Sequence, residues 1–292
     1  MARVRYPCHG ISFLLNAPNC YYRTMTARRQ FDGVRFDGSE SEKVHDWLSV
    51  EEPIQINING KPFTITMRTP GDDPFLVKGL LFTEGVVTPG GLGYEFESHE
   101  DPKNPGNTIA EIQVPPIFVC DQLLEKRSLL SNASCGICGK RELDDIRFDG
   151  EPLQPERALD ASRLPAMAER MRTDQSSFDH TGGCHAAALF THEGKFLVLF
   201  EDVGRHNAVD KAIGFLLDQK QLAAADVLFV SGRISFEIVS KAFRAGIPYL
   251  AAVSAPSSLA VQMAEQCGMS VLGFCRGQRA TVYSNPENVR QG

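Results

Sequence analysis

From residue 185 to residue 283 the chain alternates short apolar runs with amphipathic stretches, and no other feature restricts its fold so tightly. Residues 227–230 and 249–253 are apolar runs of strand length. Each is followed by residues at helical spacing, Phe236, Val239 and Phe243 after the first, Ala260, Met263, Ala264 and Cys267 after the second. Gly246 and Gly268 end the two helices. The two units open alike, on Val230-Ser231 and Val253-Ser254, and a repeated strand–helix unit builds a parallel sheet with helices packed on it. Before them, residues 185–191 and 195–200 read as a hairpin around Glu193-Gly194. Val209, Ala212, Ile213 and Leu216 mark a core helix, and residues 271–274 and 281–283 supply the last strands.

This pattern has a functional consequence. Crossovers of this kind bring the strand-to-helix turns to one edge of the sheet, where open α/β sheets bind ligands. Those turns carry Asp202-Val203-Gly204-Arg205-His206, Ser231-Gly232-Arg233, Ser254-Ala255-Pro256 and Cys275-Arg276-Gly277-Gln278-Arg279. Glycines, hydroxyls and arginines at helix starts converge N–H donors and positive charge, so a phosphate-bearing ligand is expected there. Arg205, His206, Ser231, Gly232 and residues 274–279 are its candidate contacts.

The preceding sequence reads as a smaller α+β unit. Residues 54–58 alternate apolar and polar positions, Asn59-Gly60 signals a two-residue hairpin, and residues 63–67 answer as its second strand. Asp72 or Asp73 is expected to cap a helix with Pro74 in its first turn, burying Phe75, Leu76, Gly79, Leu80 and Phe82. A strand near 109–114 and a helix near 122–130 follow. The expected organisation is an extension with little regular structure (1–45), a small α+β domain (46–130), a mobile loop (131–150) and a large α/β domain (151–292), within which Ser162 caps a helix that buries Leu164, Met167, Ala168 and Met171.

A net charge of −6 excludes an extended nucleic-acid footprint, though not a small anion pocket. No apolar run approaches membrane-spanning length, and no apolar segment follows Arg28-Arg29 as an export signal requires, so a cytoplasmic location is expected. In that compartment cysteine pairs are catalytic or metal-binding more often than structural. Cys135-Gly136-Ile137-Cys138-Gly139-Lys140 is the sharpest motif. A single CxxC can be half a zinc site, with Cys184 and His185 able to supply the missing pair, a dithiol redox centre, or a chance spacing. Its glycines favour a mobile loop, and Lys140 and Arg141 favour a thiolate, both of which suit a group carrier.

Four segments together resemble the formate dehydrogenase accessory sulfurtransferases, the FdhD family: Cys135-Gly-Ile-Cys138-Gly, Thr181-Gly-Gly-Cys184-His185, residues 201–211 from Glu201-Asp202 to Asp210-Lys211, and Gly273-Phe274-Cys275-Arg276-Gly277-Gln278-Arg279. The resemblance runs from about residue 52 to about residue 286. It implies a protein that takes persulfide sulfur from a cysteine desulfurase and delivers it to the molybdenum cofactor, bis-molybdopterin guanine dinucleotide, before formate dehydrogenase receives it. Cys135 matches the persulfide-carrying cysteine, with Cys138 as its partner. Phe274, Cys275, Arg276, Gly277, Gln278 and Arg279 match the cofactor-binding segment. The implied architecture is a three-layer α/β/α sheet resembling the cytidine deaminase fold. Deaminase chemistry is not implied, because Cys184-His185-Ala186 lacks the glutamate that chemistry needs.

No resident metal is expected, and a homodimer is the default assembly. Two other readings stay open on the sequence. One is a cofactor-binding chaperone whose CxxC docks a partner or holds zinc; the other is a zinc hydrolase using Cys135, Cys138 and Cys184 or His185.

Overall fold

The computed structural model describes residues 4–5, 27–120 and 150–292. Strand β1 (Val4–Arg5) is followed by a separate ribbon of β2 (Arg28–Asp37) and β3 (Glu40–Ser49), paired in register along all ten residues. Residues 28–45, expected to carry little regular structure, therefore form most of a hairpin. Gly38, at φ 60, turns it after Asp37, and nearly every side chain of the ribbon is exposed. Its base is closed by the Val50 N–H donating to the Ala27 carbonyl at 2.9 Å.

The smaller unit is a sheet of order β1-β6-β7-β4-β5, with β4 (Glu52–Ile58), β5 (Lys61–Arg68), β6 (Phe96–Glu100) and β7 (Thr108–Ile112). Asn59 and Gly60, at φ 53 and 76, make the two-residue turn between β4 and β5 that the sequence signals. Helix α1 (Asp73–Thr83) ends at Gly85, φ 70. Its Leu76, Val77, Leu80 and Leu81 pack on Ile54, Ile56 and Ile112, while Phe75 and Phe82 reach the core of the larger unit. A helix apolar all round is buried on both sides. The Asp73 carboxylate, an expected cap, instead accepts two bonds from the buried Arg68 guanidinium, at 2.9 and 3.0 Å.

In the larger unit, β8 (Leu159–Asp160) and α2 (Leu164–Asp174) lead through α3 (Ser176–Thr181) into a six-stranded sheet. Its order is β10-β9-β11-β12-β13-β14, formed by β9 (His185–Phe190), β10 (Phe196–Asp202), β11 (Val227–Val230), β12 (Tyr249–Ala252), β13 (Ser270–Arg276) and β14 (Arg279–Val282). The central β11, β12 and β13 are parallel, as the repeated units require, and the flanking pairs are antiparallel. Helices α4 (Arg205–Asp218), α5 (Phe236–Arg244) and α6 (Ser258–Gln266) bury Val209, Ile213, Val239 and Ala264 on one face of the sheet. Helix α2 buries Leu164, Met167 and Met171 on the other, beside β15 (Val289–Arg290), which pairs with β8. The sheet thus lies between two layers. Where α1 crosses α4, a Cβ on Gly79 would stand 1.9 Å from the Asp210 carbonyl oxygen, and one on Gly214 1.9 Å from that of Phe75.

Candidate functional site

The carboxyl ends of β10, β11, β12 and β13 and the start of β9 fall on one edge of the sheet. Asp202 pairs with His185, Val230 with Ala187, and the Phe274 N–H donates to the Ser254 carbonyl at 3.1 Å. The turns expected to hold a ligand therefore share this edge, over roughly 19 Å from β9 to β14 at the usual strand spacing. Ser231 is fixed by reciprocal bonds with Ala186: its Oγ accepts from the Ala186 N–H at 2.9 Å and its N–H donates to the Ala186 carbonyl at 3.0 Å. Gly232 lies beneath the His185 ring and the Arg205 stem, 3.2 and 3.6 Å from where a Cβ would be, so a side chain there would crowd both.

Arg205 and His206 open α4. The Arg205 Nε is buried without a hydrogen-bond partner among the described residues, a feature an anion at this edge would relieve. His206 Nε2 stands 3.4 Å from the Ser235 Oγ and 3.8 Å from a Glu237 carboxylate oxygen, with both ionisable side chains buried. The His185 imidazole is held below the ordinary histidine range, first by burial and then by the neighbouring Arg205 charge, against the opposing pull of Asp202 and with a smaller push from Arg233.

The rest of the 201–211 motif does something the sequence reading did not assign. The Asp202 carboxylate accepts from the N–H groups of Gly204 (2.8 Å) and Thr69 (3.1 Å) and from the Asn207 amide (3.1 Å), and pairs with Lys211 at 2.7 Å. Lys211 also donates to the Thr69 carbonyl and Asn207 to that of Met67. Asp210 pairs with Lys241 at 2.8 Å and accepts from the Thr83 hydroxyl, and Lys241 reaches Glu84 as well. Asp202, Asn207, Asp210 and Lys211 therefore lock the smaller unit onto the sheet, leaving Arg205 and His206 at its edge. The available signal was the density of polar residues in a segment that must also be a core helix.

Arg276, Gly277, Gln278 and Arg279 form an exposed turn at the far end of the edge, with Gly277 at φ 55 and the Arg276 Nε donating to the Val253 carbonyl at 2.9 Å. Cys275, expected among the contacts, directs its thiol the other way: it is buried in the core beneath the sheet, bonded to the Leu272 carbonyl. Burial pushes its pKa up to about 11 and does the same at Cys267. The Cys184 thiol is also raised, chiefly by burial, and lies 3.1 Å from the Ser49 Oγ at the foot of the ribbon. Cys135 and Cys138, like the expected 122–130 helix and the 131–149 part of the expected mobile loop, lie outside the described residues. Among the described residues no group of three or more metal-ligating side chains occurs, and no helix is long and apolar enough to cross a membrane.

Residues 49–290 match the model of the FdhD/NarQ family. The chain belongs to that family. Its relatives include the sulfur carrier protein FdhD of Streptomyces avermitilis, 44% identical over 91% of this chain and 96% of the relative. The protein of that name from Saccharolobus solfataricus is 39% identical over 89% of this chain and 98% of the relative. Among solved structures, a putative formate dehydrogenase accessory protein from Desulfotalea psychrophila shares the fold, with a TM-score of 0.70 at 21% identity, covering 90% of this chain and all of that one. The family match begins at Ser49, where the ribbon meets Cys184.

Proposed function

We propose that this protein is a sulfur carrier serving the maturation of formate dehydrogenase, with Cys135 as the carrying residue. The observation that carries this reading is the 44% identity to a sulfur carrier protein over nearly the whole of both chains. In the proposed reaction the Cys135 thiolate attacks the outer sulfur of a cysteine desulfurase persulfide. The donor's S–S bond breaks, its cysteine leaves as a thiolate, and Cys135 holds the outer sulfur with no net oxidation. Release follows when Cys138 attacks the inner sulfur. The Cys135–Cys138 disulfide forms as the persulfide S–S bond breaks, the outer sulfur leaves with that bond's electron pair as hydrosulfide for the acceptor, and an external thiol reductant returns the disulfide to the dithiol before the next cycle. The raised thiols of Cys184, Cys267 and Cys275 support the assignment, since a poorly ionised thiol is a poor sulfur acceptor.

The acceptor in this reading is the molybdenum cofactor, bis-molybdopterin guanine dinucleotide, bound as cargo along the sheet edge. Arg205, whose Nε has no partner among the described residues, with Ser231, Gly232 and His206 at one end of the edge and the 276–279 turn at the other, supply donors for separate phosphates of that dinucleotide. The likeness to the cytidine deaminase fold belongs to this reading too, with the sheet enclosed between two layers.

Mass spectrometry after incubation with a cysteine desulfurase and cysteine tests the assignment. One added sulfur is expected on the Cys135 peptide of the wild type and none in Cys135→Ser. A Cys135→Ser protein that still restored formate dehydrogenase in cells lacking this chain would overturn it.

A further inference from the structure

The end of the sheet away from the ligand edge holds a cavity of about 280 Å³, lined by Arg157, Asp160, Arg163, His192, Glu193 and Arg290. Strand β9 leaves the ligand edge at His185 and reaches this end after Phe190, which sets the two places roughly 17 Å apart along the strand. The lining residues come from separate stretches of chain. Residues 157–163 lead into α2, His192 and Glu193 turn β9 into β10, and Arg290 stands in β15. Pairing of β15 with β8 sets Arg290 beside Asp160, and so brings the third arginine to the other two.

Arginines gathered in this way repel one another unless anions offset them, and the carboxylates present fall short. Asp160 Oδ1 already accepts from the Ser162 N–H at 3.0 Å and the Ser162 hydroxyl at 2.6 Å. Glu193 accepts from Arg157 at 3.0 Å and from the Thr191 hydroxyl at 3.1 Å. Arg163 donates to the Glu193 carbonyl and stands 3.7 Å from the other Asp160 oxygen. The Arg290 side chain makes no hydrogen bond and no ion pair among the described residues; its charge reaches Asp160 only through space. Three arginines against two carboxylates leave one positive charge in excess, with most of the guanidinium N–H donors unused. His192 adds a ring nitrogen beside them. Its backbone N–H is fixed by the Asp226 carboxylate at 3.1 Å, and its ring leans on Tyr249 with centroids 5.9 Å apart.

We propose that this cavity binds a small oxyanion of the phosphate class, either inorganic phosphate or the phosphate group of a phosphomonoester. Arg290 is its uncommitted donor, and Glu193 holds Arg157 and Arg163 in place beside it. The planar guanidinium fork matches such an oxyanion. The volume lies near the small end of ligand-binding clefts, which suits a phosphate with a short carbon chain and not a dinucleotide. The bound anion ties β15 to the β9–β10 turn, and so stabilises the sheet from the end opposite the ligand edge.

The test titrates the full chain with inorganic phosphate and with glycerol 3-phosphate, by calorimetry and by following the His192 imidazole resonance. Wild type, Arg290→Gln and Arg276→Ala are compared, the last removing an anion contact at the far edge. Both probes are expected to move the His192 resonance in wild type and in Arg276→Ala, and to raise the melting temperature of the wild type. Arg290→Gln is expected to weaken the His192-linked binding about ten-fold or more, the loss of one charge-assisted hydrogen bond. Without ligand it melts as the wild type does, because Arg290 has no partner to lose. Tighter binding of glycerol 3-phosphate assigns the site to a phosphomonoester, and equal or weaker binding assigns it to the free ion. Unchanged affinity in Arg290→Gln overturns the site. So does a His192 resonance that neither probe moves, or that sodium chloride at matched ionic strength moves equally.

Discussion

Lys211 Nζ lies 2.7 Å from the Asp202 carboxylate, with both side chains buried where the smaller unit meets the sheet. Nine positions apart on the chain, the two residues enclose Arg205 and His206 between them, so one ion pair orients the turn that presents both to the ligand edge. Removing one member of a buried pair leaves the other charged and unpaired, which costs about 3–5 kcal/mol. Asp202→Asn is expected to lose that much in urea unfolding and to weaken ligand binding at Arg205. A variant within 1 kcal/mol of wild type would show that the pair does not organise the turn.

The α1–α4 crossing depends on two glycines. With a Cβ at either Gly79 or Gly214 placed 1.9 Å from a facing carbonyl oxygen, the helices must separate to admit a methyl group. Gly79→Ala and Gly214→Ala are each expected to destabilise by about 1–3 kcal/mol despite alanine's better helix propensity. Thermal unfolding measures this, and a stabilised variant would mean that the crossing is looser than described.

Much of this architecture was legible in the sequence, and the exceptions have physical reasons. The parallel core was readable because β11 and β12 are buried on both faces and appear as continuous apolar runs, and β13 is buried over its first four residues. The β2–β3 ribbon was not, because a ribbon exposed on both faces leaves no alternation; Gly38-Ser39, the two residues of its turn, is a local hairpin signal. The edge turns were located by counting strand ends. That Lys241 pairs with Asp210, 31 positions away, has no local signature. Cys275 was misplaced for a related reason, since a bulge after Gly273 shifts which residue faces the edge.

His185 makes part of the protein's stability pH-dependent. Its folded pKa lies below the ordinary value of 6.5, so the folded protein resists a proton that the unfolded chain accepts. The contribution is complete above pH 6.5 and is lost as pH falls from there through the folded value. The His185 resonance is expected to titrate with a midpoint below 6.5, and His185→Gln to flatten the stability profile in that window. A midpoint at or above 6.5 would refute the arrangement with Arg205 and Arg233.

Thiol reactivity separates buried from working cysteines. Cys267 and Cys275, with pKa values raised to about 11, are almost wholly protonated at pH 8. Timed alkylation of the native protein followed by peptide mapping is expected to modify Cys135 or Cys138 at least ten-fold faster than either, by the thiolate fraction alone. Labelling of Cys275 at the rate of Cys135 would contradict both its burial and the choice of Cys135 as carrier.

Arg276 and Arg279 occupy the same turn but differ in preparation. The Arg276 Nε is already committed to the Val253 carbonyl at 2.9 Å, which fixes the guanidinium and leaves its outer nitrogens for a phosphate. A charged donor held in place loses less side-chain freedom on binding than a mobile one, so more of its interaction appears as affinity. Arg276→Ala is expected to weaken GDP and pyrophosphate alike by about 1.5–3 kcal/mol, the range for a hydrogen bond to a charged group. Arg276→Lys should recover little, because an ammonium cannot hold the carbonyl and offer a planar pair of donors together. Calorimetry on both variants measures the difference, and full recovery by lysine would reduce the role of Arg276 to charge alone.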